Sequence, residues 1–330
     1  KSHFYEPKIE SLIKKIIKNK KFTFSNKFPK KKTNIYIITV GTPLNSKKQV
    51  VTKYIKETCI QISRRLENKD TVILRSTVKI GTTRNIAFPI LNKSKKKFNL
   101  AYCPERAVEG AALKELKKLP QVIGTLNENS KERVTKIFKK ITNKIIHASS
   151  LETAEMIKLI DNSSRDVFFA YANEIARACD NIGLNANEII NSGKWGYKRT
   201  DIAKPGLVGG PCLHKDPYIF SESLKKFNIF PEITLTARKI NERQPKEIVN
   251  FILKKLSEKR RSKKIINISI LGIAFKGFPV TDDLRGSMAL ELVKSLKIKL
   301  KKSKIHAFDP IVEKKKILIQ NLVPINSIKK

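Results

Sequence analysis

Two short β-branched runs, each followed by hydroxyl residues and a glycine, constrain the fold most strongly. The first is NIYIITVGTP at residues 34–43, and the second is DTVILRSTVKIGTT at residues 70–83. Such runs are typical of buried strands with exit loops, and a helical pattern at residues 50–67 separates them. This alternation predicts a parallel α/β sheet. The sheet is extended by shorter runs at FNLAYCPER, LPQVIGT and KIIHASS.

A long helical pattern begins after residue 149. SSLE predicts a capping box with Ser149 as the N-cap and Glu152 three residues later. Apolar residues then recur at helical spacing up to Gly183, a stop signal. A helix of about 30 residues would be about 45 Å long, which suits a connector between two domains.

A second α/β pattern follows the charged linker EKRRSKK at residues 258–264. IINISILGIAF predicts a buried strand, DDLRGS predicts a helix that opens near Gly286, and KIHAFDP predicts a further strand. The predicted fold class is therefore α/β, with two parallel-sheet domains joined by a long central helix. The predicted boundaries are residues 1–148, 149–257 and 262–330.

Composition argues against several classes of partner. The formal net charge of +40 is high, but most of the 69 basic residues are lysines spread along the whole chain. Nucleic-acid binders concentrate arginines and aromatic residues on one element, so we expect no nucleic acid. No apolar run reaches the ~18 residues of a membrane span. The four cysteines form no CxxC pair, which predicts no metal site and favours a reduced, cytoplasmic compartment.

The stretch KPGLVGGPCLHKDPY places Cys212 in a glycine-rich turn. Glycines let a backbone approach a ligand closely, and a nearby cation such as Lys215 favours a reactive thiolate. Cys212 is therefore a candidate nucleophile, and the alternative is a structural cysteine in a turn.

Lys158 and Asn162 lie four residues apart within MIKLIDN, so they share one face of the long helix. An ammonium beside an amide can stabilise a developing oxyanion. The alternative is an ordinary solvated pair on the helix surface.

Polar residues also follow the predicted strands of the first sheet. Ligands bind at the carboxyl ends of strands in open parallel sheets, although each residue alone is ordinary for a turn. A dinucleotide-binding domain should also contain GxGxxG, which this sequence lacks. The residues at these strand ends are Thr42, Ser76, Thr77, Thr82, Thr83, Glu105 and Glu109.

Taken together, the motifs resemble those of the UDP-sugar 6-dehydrogenases, also called nucleotide-sugar dehydrogenases. The resemblance covers nearly the whole chain, and GGPCLHKDP and KLIDN are its most specific parts. It implies an NAD-binding Rossmann-like domain, a helical dimerisation and catalytic domain, and a UDP-binding Rossmann-like domain. The matching stretches, in the family's order, are VGTP, RSTVKIGTT, CPERAVEGAALKEL, LPQVIGT, AEMIKLIDNSSRDVFFAYANEIA, KPGLVGGPCLHKDP, ILGIAFK and DDLRGS.

The resemblance implies NAD-dependent, four-electron oxidation of the C6 alcohol of a UDP-sugar to the uronate, for synthesis of cell-surface polysaccharide precursors. Cys212 would attack the intermediate aldehyde, the thiohemiacetal would lose a hydride, and the thioester would be hydrolysed. GLVGGPCLHKDP and CPERAVEG are nearer to the N-acetylhexosamine branch, whose sugars are of the mannosamine, glucosamine or galactosamine type. The family also forms homo-oligomers, here expected through the central helix.

The resemblance assigns further roles by matching position. Lys158 and Asn162 would hold the substrate oxygen, Glu105 would be the base for hydrolysis, Thr77 would place the water, and Asp216 would tune proton transfer. The implied NAD contacts are Thr42, Thr77, Glu109, Lys215 and Arg285. The implied substrate contacts are Glu109, Gly110, Ala111, Ala112, Leu113, Lys158, Asn162, the loop from Asp201 to Pro205, Gly209 and Lys276.

Departures from the family pattern leave alternatives. KSHFYEPKIESLI resembles the segment that follows the GxGxxG unit, so we expect the first domain to lack its first βαβ unit and the UDP domain to be truncated after HAFDP. Lys79-Ile80 stands where the family usually has a proline. A non-catalytic remnant or binding protein that keeps the fold is the main alternative. Hydroxy-acid and 6-phosphogluconate dehydrogenases share the Lys-x-x-x-Asn helix but lack the cysteine loop.

Overall fold

The computed structural model describes residues 2–20, 22–28, 32–258 and 266–325. The chain divides into two compact units. The first unit consists mainly of residues 6–162 and 218–230, and the second of residues 3–5, 163–217 and those from 231 onward. Of the predicted charged linker at residues 258–264, only Glu258 lies within the described residues. The division into three domains stays a prediction.

A five-stranded sheet forms the centre of the first unit. Its order follows the chain, with β1 (Ile35–Ile38), β2 (Thr71–Leu74), β3 (Asn99–Tyr102), β4 (Gln121–Thr125) and β5 (Ile145–His147). The three strands β1 to β3 are parallel, as are β4 and β5, but β3 and β4 pair antiparallel. The α/β class and the five strands are therefore confirmed, whereas a wholly parallel sheet is wrong at β3–β4.

Helices cover both faces of this sheet. Val72 and Leu74 pack in one apolar cluster with Ile55 and Leu91, while Ile73 packs on the other face with Phe138. This alternation follows from the two-residue period of a strand. In chain order, the first five α-helices among the described residues are α1 (Ile9–Lys18), α2 (Lys53–Ser63), α3 (Phe88–Asn92), α4 (Ala112–Lys118) and α5 (Glu128–Phe138).

The antiparallel pairing decides where residues 103–120 lie. Because β4 begins at the sheet edge where β3 ends, this connection, which includes α4, does not have to cross the sheet. The CPERAVEG segment therefore stays at the carboxyl edge of β1 to β3.

The first strand is less buried than the sequence predicts. Tyr36 and Ile38 face the core, whereas Ile35 and Ile37 are 36% and 51% exposed. Within the described residues β1 is an edge strand of the sheet, and only the face with Tyr36 and Ile38 is covered, so the predicted burial is confirmed for that face and wrong for the other.

The predicted long helix is confirmed as α6 (Leu151–Ile182), which is followed by Gly183 at φ 78°. Its cap differs from the prediction. The Oγ atom of Ser150, not that of Ser149, accepts a hydrogen bond from the N–H of Thr153 at 3.0 Å. Glu152 forms an ion pair with Arg84 at 2.7 Å, so the predicted capping box is wrong by one residue.

The second unit contains a three-stranded parallel sheet of β6 (Asn267–Leu271), β7 (Lys304–Phe308) and β8 (Val323–Pro324). The strand predicted at IINISILGIAF is confirmed as β6. It is an edge strand among the described residues and is half-exposed rather than buried, with Leu271 61% exposed. The remaining α-helices among the described residues are α7 (Ala186–Lys194), α8 (Gly210–Leu213), α9 (Asp216–Leu224), α10 (Glu232–Glu258), α11 (Met288–Lys299) and α12 (Lys314–Ile319). None of the described helices is long and apolar enough to cross a membrane.

Candidate active site

Hydroxyl groups connect the exits of β1 and β2 in the first unit. The Thr42 hydroxyl donates to the carbonyl of Thr77 at 2.6 Å, and that of Ser76 donates to the carbonyl of Val40 at 2.7 Å. Beside them, a Cβ atom at Gly41 would meet no atom within 4 Å. The edge therefore combines open space with polar groups at the carboxyl ends of parallel strands, which fits a nucleotide cofactor.

Glu105 lies at the same edge, in the loop that follows β3. Its Oε2 accepts from Arg75 at 2.6 Å, and its Oε1 accepts from the N–H groups of Arg106 and Ala107 at 2.8 Å. Burial raises the pKa of Glu105, but these hydrogen bonds and the Arg75 charge together hold it below its ordinary value. Glu105 is thus an ionised carboxylate at neutral pH in a fixed orientation.

The segment from Glu109 to Leu113, predicted to contact the substrate, is held by a carboxylate that the sequence did not single out. Glu6 is nearly buried and accepts hydrogen bonds from the N–H of Gly110 at 2.7 Å and of Leu113 at 3.4 Å. Gly110 has φ 87°, which favours glycine. This clamp fixes the backbone of the predicted substrate segment, which also includes Ala111 and Ala112.

Lys158 and Asn162 lie one turn apart on α6, where Lys158 is half-buried and Asn162 is buried. One turn earlier, Glu155 is fully buried. Its carboxylate accepts from the N–H groups of Gly81 and Thr83 and from the Thr83 hydroxyl, which ties α6 to the loop after β2. Burial raises the pKa of Glu155 to about 7, against hydrogen bonds that lower it.

The cysteine loop of the second unit has the close backbone packing that its glycines predict. The N–H of Gly210 donates to the carbonyl of Gly286 at 2.8 Å, and a Cβ atom at Gly209 would lie 2.4 Å from that same oxygen. A Cβ atom at Gly210 would lie 2.4 Å from the Phe275 ring. Cys212 follows in α8 and is exposed.

Lys215 and Arg285, the two cations predicted to contact the cofactor, both have carboxylate partners in this structure. Lys215 pairs with the fully buried Asp216 at 3.1 Å. Arg285 pairs with Asp283 at 2.6 Å, and its guanidinium lies 5.3 Å from the centre of the Phe4 ring. A phosphate would therefore have to share or exchange these partners.

In the loop predicted to contact the substrate, Asp201 is highly exposed and pairs with Lys194 at 3.0 Å, while Pro205 is half-buried.

A cavity of about 300 Å³ lies at the carboxyl ends of β6 and β7. Lys276 lines it, with its Nζ atom 5.4 Å from the centre of the Phe275 ring. Asp309 also lines it, and its Oδ2 accepts from the N–H groups of Ile273 and Ala274 at 2.9 and 3.1 Å. The cavity offers a cation and an aromatic ring side by side.

The predicted site residues are divided between the units. Thr42, Thr77, Glu105, the segment 109–113, Lys158 and Asn162 belong to the first unit, and the others belong to the second. Sequence reasoning missed Glu6, Glu155 and Arg238, which is described below. Glu155 could have been recognised from the sequence, because it is an acidic residue within the apolar stripe of AEMIKL. Among the described residues, no group of three His, Cys, Asp or Glu side chains could hold a metal ion.

Comparisons with known proteins agree with this architecture. Residues 1–142 match the NAD binding domain of the UDP-glucose/GDP-mannose dehydrogenase family, and residues 152–243 match its central domain. The UDP-N-acetyl-D-mannosamine dehydrogenase of Methanocaldococcus jannaschii is 35% identical over 80% of this chain, which spans only 60% of that relative's length. Its namesake from Pyrococcus horikoshii is 31% identical over 94% of this chain and 74% of its own length.

A solved structure agrees with both the sheet architecture and the domain matches. The P. horikoshii UDP-D-ManNAc dehydrogenase has a TM-score of 0.86 and 30% identity to this chain, over 94% of this chain and 74% of that one. The predicted fold class is confirmed, and the NAD-binding domain match confirms NAD as the cofactor that was predicted. By its domain matches and by relatives at 30% identity or more, the chain belongs to the UDP-glucose/GDP-mannose dehydrogenase family.

Proposed function

We propose that this protein oxidises the C6 alcohol of a UDP-N-acetylhexosamine to the uronate with NAD⁺, through a covalent intermediate on Cys212. The observation that carries the proposal is an exposed thiol in a tightly packed glycine loop, while Cys59, Cys103 and Cys179 are buried. A second oxidation needs a nucleophile, because the aldehyde can lose a hydride only after a group has added to its carbonyl carbon. UDP-N-acetyl-D-mannosamine, the sugar nucleotide in the relatives' names, is the first substrate to test.

The chain's residues have distinct roles in the proposed second oxidation. The Cys212 sulfur adds to the aldehyde carbon, and Lys158 and Asn162 donate to the oxygen that takes up the electron pair. NAD⁺, held by the residues assigned to it below, would supply the hydride acceptor, and loss of the hydride from the carbon would leave a thioester on Cys212. Glu105, whose lowered pKa keeps it ionised, takes a proton from the water that attacks the thioester.

The other proposed roles concern binding and proton transfer. Thr77 orients the hydrolytic water, and Asp216 tunes proton transfer near the thiol. The cavity beside Lys276 suits a nucleotide's phosphates and base, since it offers a cation and an aromatic ring. We assign NAD to Thr42, Thr77, Glu109, Lys215 and Arg285. We assign the sugar nucleotide to residues 109–113, Lys158, Asn162, the loop from Asp201 to Pro205, Gly209 and Lys276.

The proposal includes a homodimer formed through α6. Phe168, Tyr171 and Ile182 are 58%, 55% and 68% exposed and fall on one stripe of this helix. An exposed apolar stripe of this kind is usually covered by a partner. Light scattering of the purified chain should give twice the chain mass, and the chain mass alone would contradict the dimer. The four cysteines form no disulfide among the described residues, which suits the reduced cytoplasm, where we place the reaction.

The test of the proposed function uses the purified chain with NAD⁺ and UDP-N-acetyl-D-mannosamine. We expect a uronate product and two NADH per sugar, and we expect Cys212→Ser to lower the rate of uronate formation by at least about a thousandfold. Cys179→Ser, at a buried thiol, is the matched control and should leave the rate within about twofold. Full four-electron oxidation by Cys212→Ser would refute the covalent mechanism. Sugar-nucleotide binding without NADH formation would favour the binding-protein alternative.

A further inference from the structure

A fully buried arginine contacts both ends of the loop that carries Cys212. The Arg238 guanidinium on α10 donates to the carbonyl of Val208 at 3.0 Å and to the carbonyl of Leu213 at 2.8 Å. It also pairs with the fully buried Asp166 of α6 at 2.9 Å. One rigid group thus spans the beginning and the end of the segment 208–213.

Two buried asparagines extend this network to the preceding residues of the loop. Asn173 accepts from the N–H of Gly206 at 2.7 Å and donates to the carbonyl of Gly206 at 3.0 Å. Asn173 also donates to Asn241 at 2.9 Å, and Asn241 donates to the side chain and the backbone carbonyl of Asp166. Residues 206–213 are therefore tied at three points to α6 and α10.

We propose that Arg238 is a positioning residue that fixes the Cys212 loop by holding the carbonyls of Val208 and Leu213. This inference rests on the proposed function, because the position of the thiol matters only if Cys212 reacts. A buried charge pair is often no more stabilising than apolar residues of the same volume, so stability alone gives little reason for this network. An arginine offers a planar fork of donors that can reach two carbonyls at once, which a lysine cannot.

The packing of the loop explains why such a clamp would be effective. The Gly209–Gly210 backbone is in contact with Gly286 and Phe275, with no space for a Cβ atom at either glycine. The loop is therefore blocked by these neighbours and held by hydrogen bonds from Arg238. Cys212 lies between the two carbonyls that Arg238 holds, so its backbone position is set by both.

The test compares Arg238→Lys with two variants of the same helix. Arg243→Lys makes the same change at an arginine that pairs with Glu247 at 2.8 Å. Val249→Ala weakens the apolar cluster of the second unit, against which Leu207 of the loop packs, without removing a hydrogen bond of the loop. Hydrogen exchange is measured by mass spectrometry on the ligand-free protein. We expect Arg238→Lys to speed exchange of the amides of residues 206–213 by about tenfold or more. Both controls should leave these amides unchanged relative to the rest of the second unit.

Activity gives a readout that a purely structural role would not change. With UDP-N-acetyl-D-mannosamine and NAD⁺, we expect Arg238→Lys to lower kcat for uronate formation about tenfold while KM for the sugar nucleotide stays within about twofold. The alkylation rate of the buried cysteines reports on global opening of the fold. In Arg238→Lys, this rate should not increase at Cys59, Cys103 or Cys179.

Unchanged exchange in residues 206–213, or increased exchange with normal kcat, would overturn the proposal. An inactive wild type would refute the proposed function, while the exchange data would still decide whether Arg238 holds the loop. If Arg238→Lys does not fold, Asn173→Ala removes the hydrogen bonds to Gly206 and Asn241 but keeps both contacts of Arg238 with the loop, so it should speed local exchange only about threefold.

Discussion

The two units hold their functional loops with opposite chemistry. In the first unit, carboxylates accept hydrogen bonds from loop N–H groups, as Glu6 does from Gly110 and Glu155 does from Gly81. In the second unit, the Arg238 guanidinium donates to the carbonyls of the cysteine loop. Carboxylates titrate in the physiological range when they are buried, whereas a guanidinium stays charged at every pH a protein tolerates.

This difference predicts unequal sensitivity to pH. Burial raises the pKa of Glu155 to about 7, so this clamp changes its charge near neutral pH. Burial also raises the pKa of Asp166, the partner of Arg238, to about 6. The donors on the cysteine loop come from Arg238, which stays charged, so these hydrogen bonds persist over the pH range in which the Glu155 clamp changes its charge.

The largest expected effect comes from neutralising the partner of Arg238. Asp166→Asn removes the buried countercharge of Arg238 and leaves only the partly exposed Glu242, 3.8 Å away, which should cost about 3–5 kcal/mol of unfolding free energy. Urea unfolding, measured above the raised pKa of Asp166, would show this loss. Asp180→Asn changes an exposed aspartate on the same helix and should have an effect below about 0.5 kcal/mol. Equal effects of the two substitutions would contradict the importance of this ion pair.

Local sequence patterns predicted the strands and helices because apolar periodicity is a local property. They did not predict the direction of β4, which depends on how α4 returns the chain to the edge of β3. The clamps were also beyond local patterns, since Glu6 and Gly110 are 104 residues apart in the sequence and Arg238 and Val208 are 30 apart. Motif residues such as Cys212 and Glu105 were visible in the sequence, whereas the groups that hold their loops were not.

A medium effect should appear in the pH dependence of stability through Glu155. Its pKa in the folded state is above the ordinary 4.5, so the folded protein binds the proton more tightly than the unfolded chain does. Stability from this group is therefore highest below about pH 4.5 and falls as the pH rises to about 7. A rise from 4.5 to about 7 corresponds to about 3 kcal/mol.

The comparison of Glu155→Gln with the wild type isolates the contribution of Glu155 to the pH dependence of stability, because the titrations of other groups cancel. Urea unfolding is measured at about pH 4.5 and at about pH 7. Relative to the variant, the wild type should lose about 3 kcal/mol of unfolding free energy between these two pH values. Glu152→Gln is the matched control on the same helix. The Arg84 hydrogen bond lowers the pKa of Glu152 against burial, so the sign of its pH dependence should be reversed. A pH-independent difference for Glu155→Gln would show that the carboxylate is already ionised throughout this range.

The smallest expected effect concerns the carboxylate clamp of Glu6. It distinguishes a local change in residues 110–113 from a loss of stability of the whole first unit. Glu6→Gln keeps an oxygen that can accept from Gly110, but it removes the charge and replaces the second oxygen with an amide that cannot accept from Leu113. We expect a loss of about 1 kcal/mol and about fivefold faster hydrogen exchange of the amides of residues 110–113. Glu10→Gln, at an exposed position on α1, should change neither quantity.

If Glu6→Gln raises KM for the sugar nucleotide about threefold, the carboxylate clamp acts on substrate binding, as the proposed contacts of this segment require. A change in kcat alone would instead make Glu6 the counterpart of Arg238, and the two units would then differ in the chemistry of their clamps but not in what those clamps control.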